Sequence, residues 1–437
     1  MLKKVFTIAM LISLTSCVNS PPRDLNQIKY QNGSAYISEQ VVADIKNKVP
    51  QDVSLFVAQI PAEIVKQVQK QQVSLYGRYR KRYFAAWDDS LRMAELPLQK
   101  FYLSSFFHEN NRLYPSQRRK QLIDNVKNAL AINKKAIVIR DSVVKEFPTD
   151  SMFFNNLKNP GDHYPFDINI YSRIRVGAPL RALALSQDKQ WCFVSCNFYS
   201  GWIHINDIAY VDDKFVKEYQ ALPQGICVKE KTTISNGNGF INFAEIGTIL
   251  PLKGDQVLCP AKRIDGYAEL VPCRASNFKK MPLKFTPTNV STIANQFLGQ
   301  EYGWGGYLGH RDCSMLTMDF FSVFGIYLPR NGNPQLKFGQ STKIKQTNKK
   351  KQILEKGIPW LTLAGKPGHV MIYAGQYEGD PVFFHNIYAL KTKSNPANRI
   401  VIGETCFMRD FQCPFFDNIS VLDMVTIMRN AIDLNLR

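Results

Sequence analysis

Three residues in the last third of the chain, Cys313, His369 and His385, have side chains that could perform nucleophilic chemistry. A thiol attacks a carbonyl only as its thiolate, and an ordinary cysteine has a pKa of about 8.5. A helix N-terminus and a nearby imidazolium both lower that pKa. Asp312 is a typical N-cap and an apolar helical pattern follows Cys313, so the sequence predicts this thiol at a helix N-terminus. The backbone N–H of Cys313 would then be placed to bind an oxyanion.

The two histidines lie on predicted strands that flank the turn sequence 376-QYEGDP-381. Folding this hairpin about its Tyr-Glu pair places residue 369 opposite about residue 386, within one rung of His385. Side chains that face each other across such strands have Cβ atoms about 4.5–5.5 Å apart, so one imidazole could orient the other. His310 is nearer to the cysteine in sequence but lies on a loop, where we expect it to be exposed. An ordinary buried thiol and two structural histidines remain the alternative.

The N-terminus has the parts of a secretory signal: the basic segment MLKK, the ten-residue apolar segment VFTIAMLISL, and then TSC. The apolar segment is too short to span a bilayer. Leu14 to Cys17 resemble a bacterial lipobox, which implies that residues 1–17 are a lipoprotein signal peptide and that Cys17 is lipidated. Val18 is not the aspartate that retains lipoproteins in the inner membrane, which favours the outer membrane. A plain signal peptide cut elsewhere is the alternative.

The 437 residues have a net charge of +19, with 45% hydrophobic and 21% charged residues, a composition typical of folded, soluble domains. A chain of this length divides into more than one domain. The positive charge favours anionic partners. Because the N-terminal segment indicates export to the periplasmic face, we expect a lipid surface or a cell-wall polymer rather than nucleic acid. We expect no cofactor.

Nine cysteines in an exported chain raise the question of disulfides. Cys259 and Cys273 flank a predicted hairpin whose turn is Asp265-Gly266, and they would face each other, so they are the expected disulfide. Cys192 and Cys196 are four residues apart on one predicted strand, about 13 Å, which is too far to bridge. No paired C-x-x-C motif occurs, so no metal site is expected.

Changes in composition divide the mature chain into a tether, a helical region, two small all-β domains and an α+β domain, in this order: 18–35, 36–159, 160–215, 216–280 and 289–437. The helical region has apolar positions three to four residues apart, whereas the β domains have short strands separated by turn signals. The basic segment 78-RYRKRYFAAW-87 could bind an anionic surface, or its aromatic residues could pack on a neighbouring domain. The last segment combines helices with antiparallel strands.

The segments YGWGG, RDCS, GIYLPRN and GHVMIYAG, followed by a histidine, resemble the motifs of the NlpC family of papain-like cell-wall cysteine endopeptidases. The resemblance is strongest over 289–437. The two β domains resemble bacterial SH3 domains, as in the branch of the family with an N-terminal helical clip. The resemblance implies a helical clip, two SH3-like barrels and a papain-like α+β peptidase domain.

The resemblance also implies a role for each matching residue. Cys313 matches the nucleophile, His369 the general base, and His385 the third, orienting residue. The positions that shape the substrate pocket are matched by Tyr302, Asp312 and Ser314. The implied reaction is hydrolysis of an amide bond in peptidoglycan stem peptides, typically γ-D-glutamyl-meso-diaminopimelate.

Two features depart from the family pattern: Met315 stands where a small residue is common, and residues 337–357 form a basic insertion. We expect a monomer that binds peptidoglycan or muropeptides. Two other functions remain open. One is a non-catalytic, peptidoglycan-binding lipoprotein. The other is an acyltransferase or amidase on the same core, because a thioester can be captured by nucleophiles other than water.

Overall fold

The computed structural model describes residues 39–89, 105–158, 161–237, 239–338, 340–391, 399–410 and 420–433. The helices of its N-terminal region are α1 (Glu39–Lys46), α2 (Val53–Val57), α3 (Ala62–Tyr83) and α4 (Ser116–Lys127). The longest, α3, begins after Pro61, whose fixed φ suits a helix start. It buries Ile64, Val68 and Leu75 at helical spacing, so one face of α3 packs on the rest of the molecule.

The basic segment 78–87 ends α3 and leads onto the first β domain. Tyr83, Phe84 and Trp87 are buried, and Trp87 Nε1 donates to the Ala136 carbonyl oxygen over 2.8 Å. The aromatic residues of this segment therefore pack on a neighbouring domain, which confirms one of the two interpretations of the sequence. The basic side chains in the last turn complement the negative end of the helix dipole.

The strands of the first β domain are β1 (Leu130–Val138), β2 (Ser142–Lys145), β3 (Ile170–Ile174), β4 (Pro179–Leu185), β5 (Trp191–Ser195), β6 (Ser200–His204) and β7 (Ile208–Tyr210). They form an antiparallel sheet in the order β3-β2-β6-β5-β4-β1-β7. This antiparallel sheet corresponds to the first of the two small barrels predicted from the short β segments.

The first sheet starts earlier than predicted, because β1 and β2 lie within the segment 36–159 that was expected to be helical. Residues Ala136 and Ile137 of β1 pair with β4 on one side and β7 on the other. The apolar residues that follow α4 are also compatible with helical spacing. Their partner strands lie far along the chain, so local spacing could not show that they form a strand.

The helix α5 (Asp213–Ala221) connects the two β domains. The strands of the second domain are β8 (Gln224–Cys227), β9 (Thr232–Asn236), β10 (Gly239–Ala244), β11 (Ile249–Lys253), β12 (Gln256–Lys262), β13 (Ala268–Cys273) and β14 (Phe278–Lys280). Five of them form a sheet in the order β13-β12-β11-β8-β14, and β9 pairs with β10.

The expected disulfide is not formed, since Cys259 and Cys273 are both free thiols. Cys259 pairs with Val271, and Cys273 pairs with Val257, so the two cysteines are offset by two residues. The two thiols nevertheless lie close enough to hydrogen-bond to each other, diagonally across β12 and β13. Both thiols are buried in the core of the second β domain.

The helices of the C-terminal domain are α6 (Pro287–Phe297), α7 (Cys313–Val323), α8 (Gly332–Lys337) and α9 (Lys349–Lys356). Its strands are β15 (Thr342–Lys343), β16 (Thr362–Lys366), β17 (His369–Tyr377), β18 (Asp380–Lys391), β19 (Arg399–Arg409) and β20 (Ile427–Asn430). They form one antiparallel sheet in the order β15-β20-β16-β17-β18-β19.

The core of the C-terminal domain lies between α7 and this sheet. Leu316 and Phe320 of α7 belong to the same buried cluster as Val370, Ile372 and Phe384 of the central strands. Burying this apolar stripe fixes α7, and with it the position of its first residue, relative to β17 and β18. Within the described ranges, no helix is long and apolar enough to cross a membrane, and no group of three or more His, Cys, Asp or Glu side chains could hold a metal ion.

Candidate active site

Cys313 is the first residue of α7, as predicted, and Asp312 is its N-cap. The Asp312 carboxylate accepts hydrogen bonds from the Met315 backbone N–H at 2.8 Å and from the Ser314 hydroxyl at 3.0 Å. Arg330 forms a buried salt bridge with the same carboxylate at 2.6 Å. Burial raises the pKa of Asp312, but the Arg330 guanidinium and these hydrogen bonds together hold it below its ordinary value. Asp312 is therefore a charged anchor for the start of α7.

The loop before α7 is held against the first β domain. Gly305 and Gly306 have φ values of 63° and 91°, a region that favours glycine. A Cβ on Gly306 would lie 2.5 Å from the Cβ of Arg173 in that domain. Trp304 Nε1 donates to the Asp167 carbonyl oxygen over 3.0 Å. The segment that leads to Cys313 is thus fixed from outside its own domain.

Arg311 connects the same segment to the second β domain. Its side chain is 1% exposed, and it binds Glu230 at 2.9 Å and Asp319 of α7 at 2.7 Å. Arg175 of the first β domain binds Asp319 as well, at 2.6 Å. A buried ion network therefore joins both β domains to the C-terminal domain directly beside Cys313.

The sulfur of Cys313 lies at the start of β17, where the Val370 backbone N–H donates a hydrogen bond to it. The pairing of β17 with β18 ends at Ile372 and Phe384, so the Val370 amide lies beyond the part of β17 that pairs with β18. Burial and, to a lesser extent, the Asp312 charge raise the pKa of Cys313 to about 12, and together they outweigh the Val370 amide. The lowered thiol pKa expected from the sequence is therefore wrong for the resting protein.

The two histidines are in direct contact, since Nε2 of His369 lies 2.8 Å from Nδ1 of His385. The register of β17 with β18 places them diagonally on one face of the sheet rather than on neighbouring rungs. The turn lies at Glu378-Gly379, one residue later than the prediction assumed, because Tyr377 pairs with Asp380. A bulge after Tyr373 compensates for part of this shift.

Both imidazoles are neutral in the resting protein. Burial, with a smaller contribution from the nearby Lys366 ammonium, lowers the pKa of His369 to about 4. Burial also lowers the pKa of His385 well below its ordinary value, and His369 adds to this effect. The raised thiol pKa of Cys313 and the lowered pKa of His369 thus both favour the neutral forms.

The contact between the imidazoles restricts which tautomer is useful. It occupies Nε2 of His369 and leaves Nδ1 as the nitrogen that can accept a proton from a thiol. His369 must then donate from Nε2 to Nδ1 of His385, so His385 carries its own proton on Nε2. Among the described residues no group hydrogen-bonds to that buried nitrogen, although Cys406 lies directly opposite on β19.

Tyr302 closes one side of the site. Its ring centroid is 5.7 Å from that of Tyr388 and 6.4 Å from that of Phe166 in the first β domain. Burial raises the pKa of Tyr302 well above its ordinary value, and the neighbouring Cys313 adds to this effect. Aromatic rings from two domains therefore line the approach to the thiol.

Four family models match the chain, in the order of its domains. A model described as the NLPC_P60 stabilising domain matches residues 5–129, and SH3 domain models of the SH3b1 and SH3b2 types match 152–204 and 212–256. The NlpC/P60 family model matches 299–403, a range that contains the cysteine and both histidines described above. The C-terminal domain therefore belongs to the NlpC/P60 family. It is a cysteine peptidase and, more broadly, a peptidoglycan hydrolase.

One solved structure shares the fold of this chain over most of its length. An NlpC/P60 endopeptidase from Photobacterium damselae subsp. piscicida has a TM-score of 0.78 and 22% identity, covering 88% of this chain and 97% of that one. An NlpC/P60 family protein from Bacillus cereus ATCC 10987 has a TM-score of 0.44 and 14% identity, covering 68% and 100%. No curated protein matches. The predicted architecture of a helical region, two SH3-like domains and a papain-like domain is confirmed.

Within the NlpC/P60 domain, the predicted site residues differ in position and exposure. Cys313, the two histidines and Tyr302 lie together. Asp312 and Ser314 are each 6% exposed and bind within the protein, so a role for them in substrate binding stays a prediction. His310 is partly exposed and 3.1 Å from Glu301, away from the histidine pair, as expected. The lipobox cysteine at position 17 lies outside the described residues.

Sequence reasoning missed Arg330 as a residue of this NlpC/P60 site. Its guanidinium binds Asp312 and donates to the hydroxyls of Ser314 at 2.8 Å and of Ser172, in the first SH3-like domain, at 2.7 Å. The signal was present, because an arginine in the apolar segment GIYLPRN needs a buried acidic partner. The sequence does not show which carboxylate that is.

Proposed function

We propose that the chain hydrolyses the γ-D-glutamyl-meso-diaminopimelate amide bond of peptidoglycan stem peptides, with Cys313 as nucleophile, His369 as general base and His385 as the orienting residue. The observation that carries the proposal is the 2.8 Å contact between the two imidazoles, next to a cysteine at a helix N-terminus. Of the two nitrogens of His369, this contact reserves Nδ1 for proton transfer with the thiol.

The resting thiol is neutral, so proton transfer accompanies attack. Nδ1 of His369 accepts the Cys313 proton as the sulfur bonds to the γ-glutamyl carbonyl carbon. His369 then returns that proton to the diaminopimelyl nitrogen, and the C–N bond breaks to release a free amine. Water attacks the remaining thioester while His369 takes one of its protons. The sulfur leaves, regains that proton, and the D-glutamyl γ-carboxylic acid is released.

The tetrahedral intermediate carries a negative oxygen, which needs hydrogen-bond donors. The backbone N–H of Cys313 lies at the N-terminus of α7, where no intrahelical carbonyl accepts from it. This N–H and the positive end of the helix dipole favour an anion beside the sulfur. The N–H and the helix dipole both belong to α7, which also carries the nucleophile. The same helix therefore positions the attacking sulfur and stabilises the developing negative charge.

The N-terminal segment supports a proposal about location. Cys17 would be lipidated after removal of residues 1–17, and residues 18–35 would tether a monomer to the periplasmic face of a membrane, the outer one in view of Val18. Metabolic labelling with a fatty acid, with Cys17→Ala as the matched variant, tests this. Labelling that survives the substitution would contradict lipidation at that residue.

Cleavage of isolated muropeptides by the purified chain, followed by mass spectrometry of the products, tests the proposed reaction. Cys313→Ala is expected to abolish turnover without changing the thermal midpoint by more than a few degrees, because the residue lies at a helix start. Cys273→Ala removes a buried thiol in a different domain and is expected to retain turnover.

Three outcomes would contradict parts of the proposal. Turnover by Cys313→Ala would remove the nucleophile assignment. Products in which the glutamyl group is joined to an amine instead of carrying a free carboxyl would indicate acyl transfer. Binding of muropeptides by the wild-type chain with no cleavage would indicate a non-catalytic wall-binding protein.

A further inference from the structure

The basic insertion 337–357 takes no part in the chemistry described above. It contains seven lysines and one glutamate. Ile344 and Ile353 are 6% and 0% exposed and hold the insertion to the C-terminal domain. Lys343 and Lys345 flank Ile344 and are exposed, since neighbours of an inward-pointing strand residue point outward.

The sheet register places Lys343 on the same rung as a residue of the site. Lys343 pairs with Ile427, Ile427 with Gly365, and Gly365 with Val370, whose amide binds the Cys313 sulfur. Neighbouring strands are about 4.8 Å apart, so three spacings put Lys343 about 14 Å from Val370. This is the reach of a few peptide residues.

Residues on one rung point to the same face of a sheet. Val370 lies in the core cluster that includes Leu316 of α7, and Ile427 packs against that cluster. Lys343 therefore emerges on the face of the sheet that carries α7 and Cys313.

Lys345 extends the same line of charge. Both β15 and β16 are antiparallel to β20, so they run in the same direction. Lys345 follows β15 towards the end of the sheet at which Lys366 pairs with His369. Lys366 follows Gly365 on β16 and points to the opposite face of the sheet. We call Lys343 and Lys345 the basic margin.

The cations of the basic margin are not neutralised by the protein. Within the part of the chain that the structure describes, neither Lys343 nor Lys345 makes an ion pair. By contrast, Lys350 binds Asp380, and Lys351 lies 3.7 Å from Glu355. The unpaired charges of the insertion thus include those nearest the site.

We infer that the basic margin binds carboxylates of the polymeric wall that flank the cleaved stem peptide. This inference rests on the proposed function. D-glutamyl and meso-diaminopimelyl residues each have a carboxylate outside the chain of amide bonds, and a wall repeats these anions at short intervals. One exposed lysine gains little from one anion in water, but several cations that face a repeating polyanion act together. The margin would therefore favour polymer over small fragments.

Binding to insoluble peptidoglycan is the direct test, measured by co-sedimentation of the full chain in the Cys313→Ala background, where no digestion occurs. Lys343→Gln with Lys345→Gln is expected to weaken binding roughly tenfold at low salt and to reduce its salt dependence. The matched control, Lys66→Gln with Lys70→Gln on the exposed face of α3, removes the same charge elsewhere and is expected to bind as before. Equal binding by both double variants would overturn the inference.

A second comparison uses active protein and separates the inference from the proposed function. The ratio of turnover on insoluble wall to turnover on a soluble muropeptide is expected to fall about tenfold in the margin variant only. An unchanged ratio would overturn the inference while leaving the proposed function intact. No turnover by wild-type protein on either substrate would remove the proposed function, and co-sedimentation would still decide the inference. If the margin variant lost binding to vesicles of anionic phospholipid but kept wall binding, the partner would be a membrane and the inference would be wrong.

Discussion

Partial burial shifts the pKa values of Cys313 and His369 in opposite directions. Removing a group from water disfavours its charged form, which raises the pKa of an acid and lowers that of a base. Here it raises the pKa of Cys313 to about 12 and lowers that of His369 to about 4, so both groups are neutral between these limits. In the proposed reaction the thiol therefore loses its proton to His369 as the sulfur bonds to the substrate carbonyl, whose oxygen takes up the negative charge.

The acid limb of kcat/KM is expected at about pH 4, below the ordinary imidazole pKa of about 6.5, because His369 is a base only while neutral. The pKa of His369 is lower in the folded than in the unfolded protein. The free energy of unfolding is therefore unaffected by this group above about pH 6.5 and decreases as the pH falls towards 4. Turnover of a soluble muropeptide across this range measures the limb. Lys366→Gln removes a cation that lowers the His369 pKa and should move the limb to higher pH. A wild-type limb near 6.5 would contradict the buried, neutral base.

At the scale of elements, the position of α7 depends on the loop that precedes it. Gly305 and Gly306 allow the loop to lie against the first SH3-like domain, in a conformation that other residues rarely adopt. Asp312 then ends the loop and caps the helix. Helix, cap and loop together determine where the Cys313 sulfur meets the start of β17.

Gly306→Ala is expected to destabilise the protein by about 1–3 kcal/mol more than Gly254→Ala, because only the first adds a clash. Both glycines have a positive φ, but a Cβ on Gly254 would have no heavy atom within 4 Å, whereas one on Gly306 would lie 2.5 Å from Arg173 Cβ. Urea unfolding measures the difference, and kcat/KM should fall only in Gly306→Ala. Equal effects of the two substitutions would show that the loop tolerates movement.

Local patterns in the sequence predicted the elements that carry the site, and contacts between distant segments limited the rest. The N-cap Asp312 and the apolar run after Cys313 were sufficient for α7, and the turn signal was sufficient for the β17–β18 hairpin. The strand β1 was mistaken for helix because its partners lie elsewhere in the chain. The raised pKa of Cys313 was missed for the same reason, since burial depends on what packs around a residue.

At the scale of the whole molecule, the ion network around Arg311 connects three domains. Arg311 binds Glu230 in the second SH3-like domain and Asp319 in α7, and Arg175 of the first SH3-like domain shares Asp319. Buried charges of this kind cost much free energy when one partner is removed. The domain boundaries suggested by the sequence are therefore not boundaries of independent stability.

Glu230→Gln is expected to destabilise the whole chain, by up to about 3–5 kcal/mol, because it leaves the buried Arg311 short of one negative charge. Thermal unfolding should show one transition at a lower midpoint, with turnover lost in parallel. Glu63→Gln removes a surface partner of Lys66 and should change the midpoint far less. Separate unfolding of the second SH3-like domain in Glu230→Gln, with turnover retained, would show that this domain does not support the site.

The raised pKa of Cys313 has a consequence for the chemical durability of the protein. Oxidants, disulfides and alkylating agents react with thiolates, and a thiol that ionises only near pH 12 offers almost none of that species at neutral pH. Under the proposed export, the chain would meet such reagents without a reducing pool to repair the damage. The fold would thus keep Cys313 protonated, and less sensitive to oxidation, until it transfers its proton to His369 during attack on a substrate.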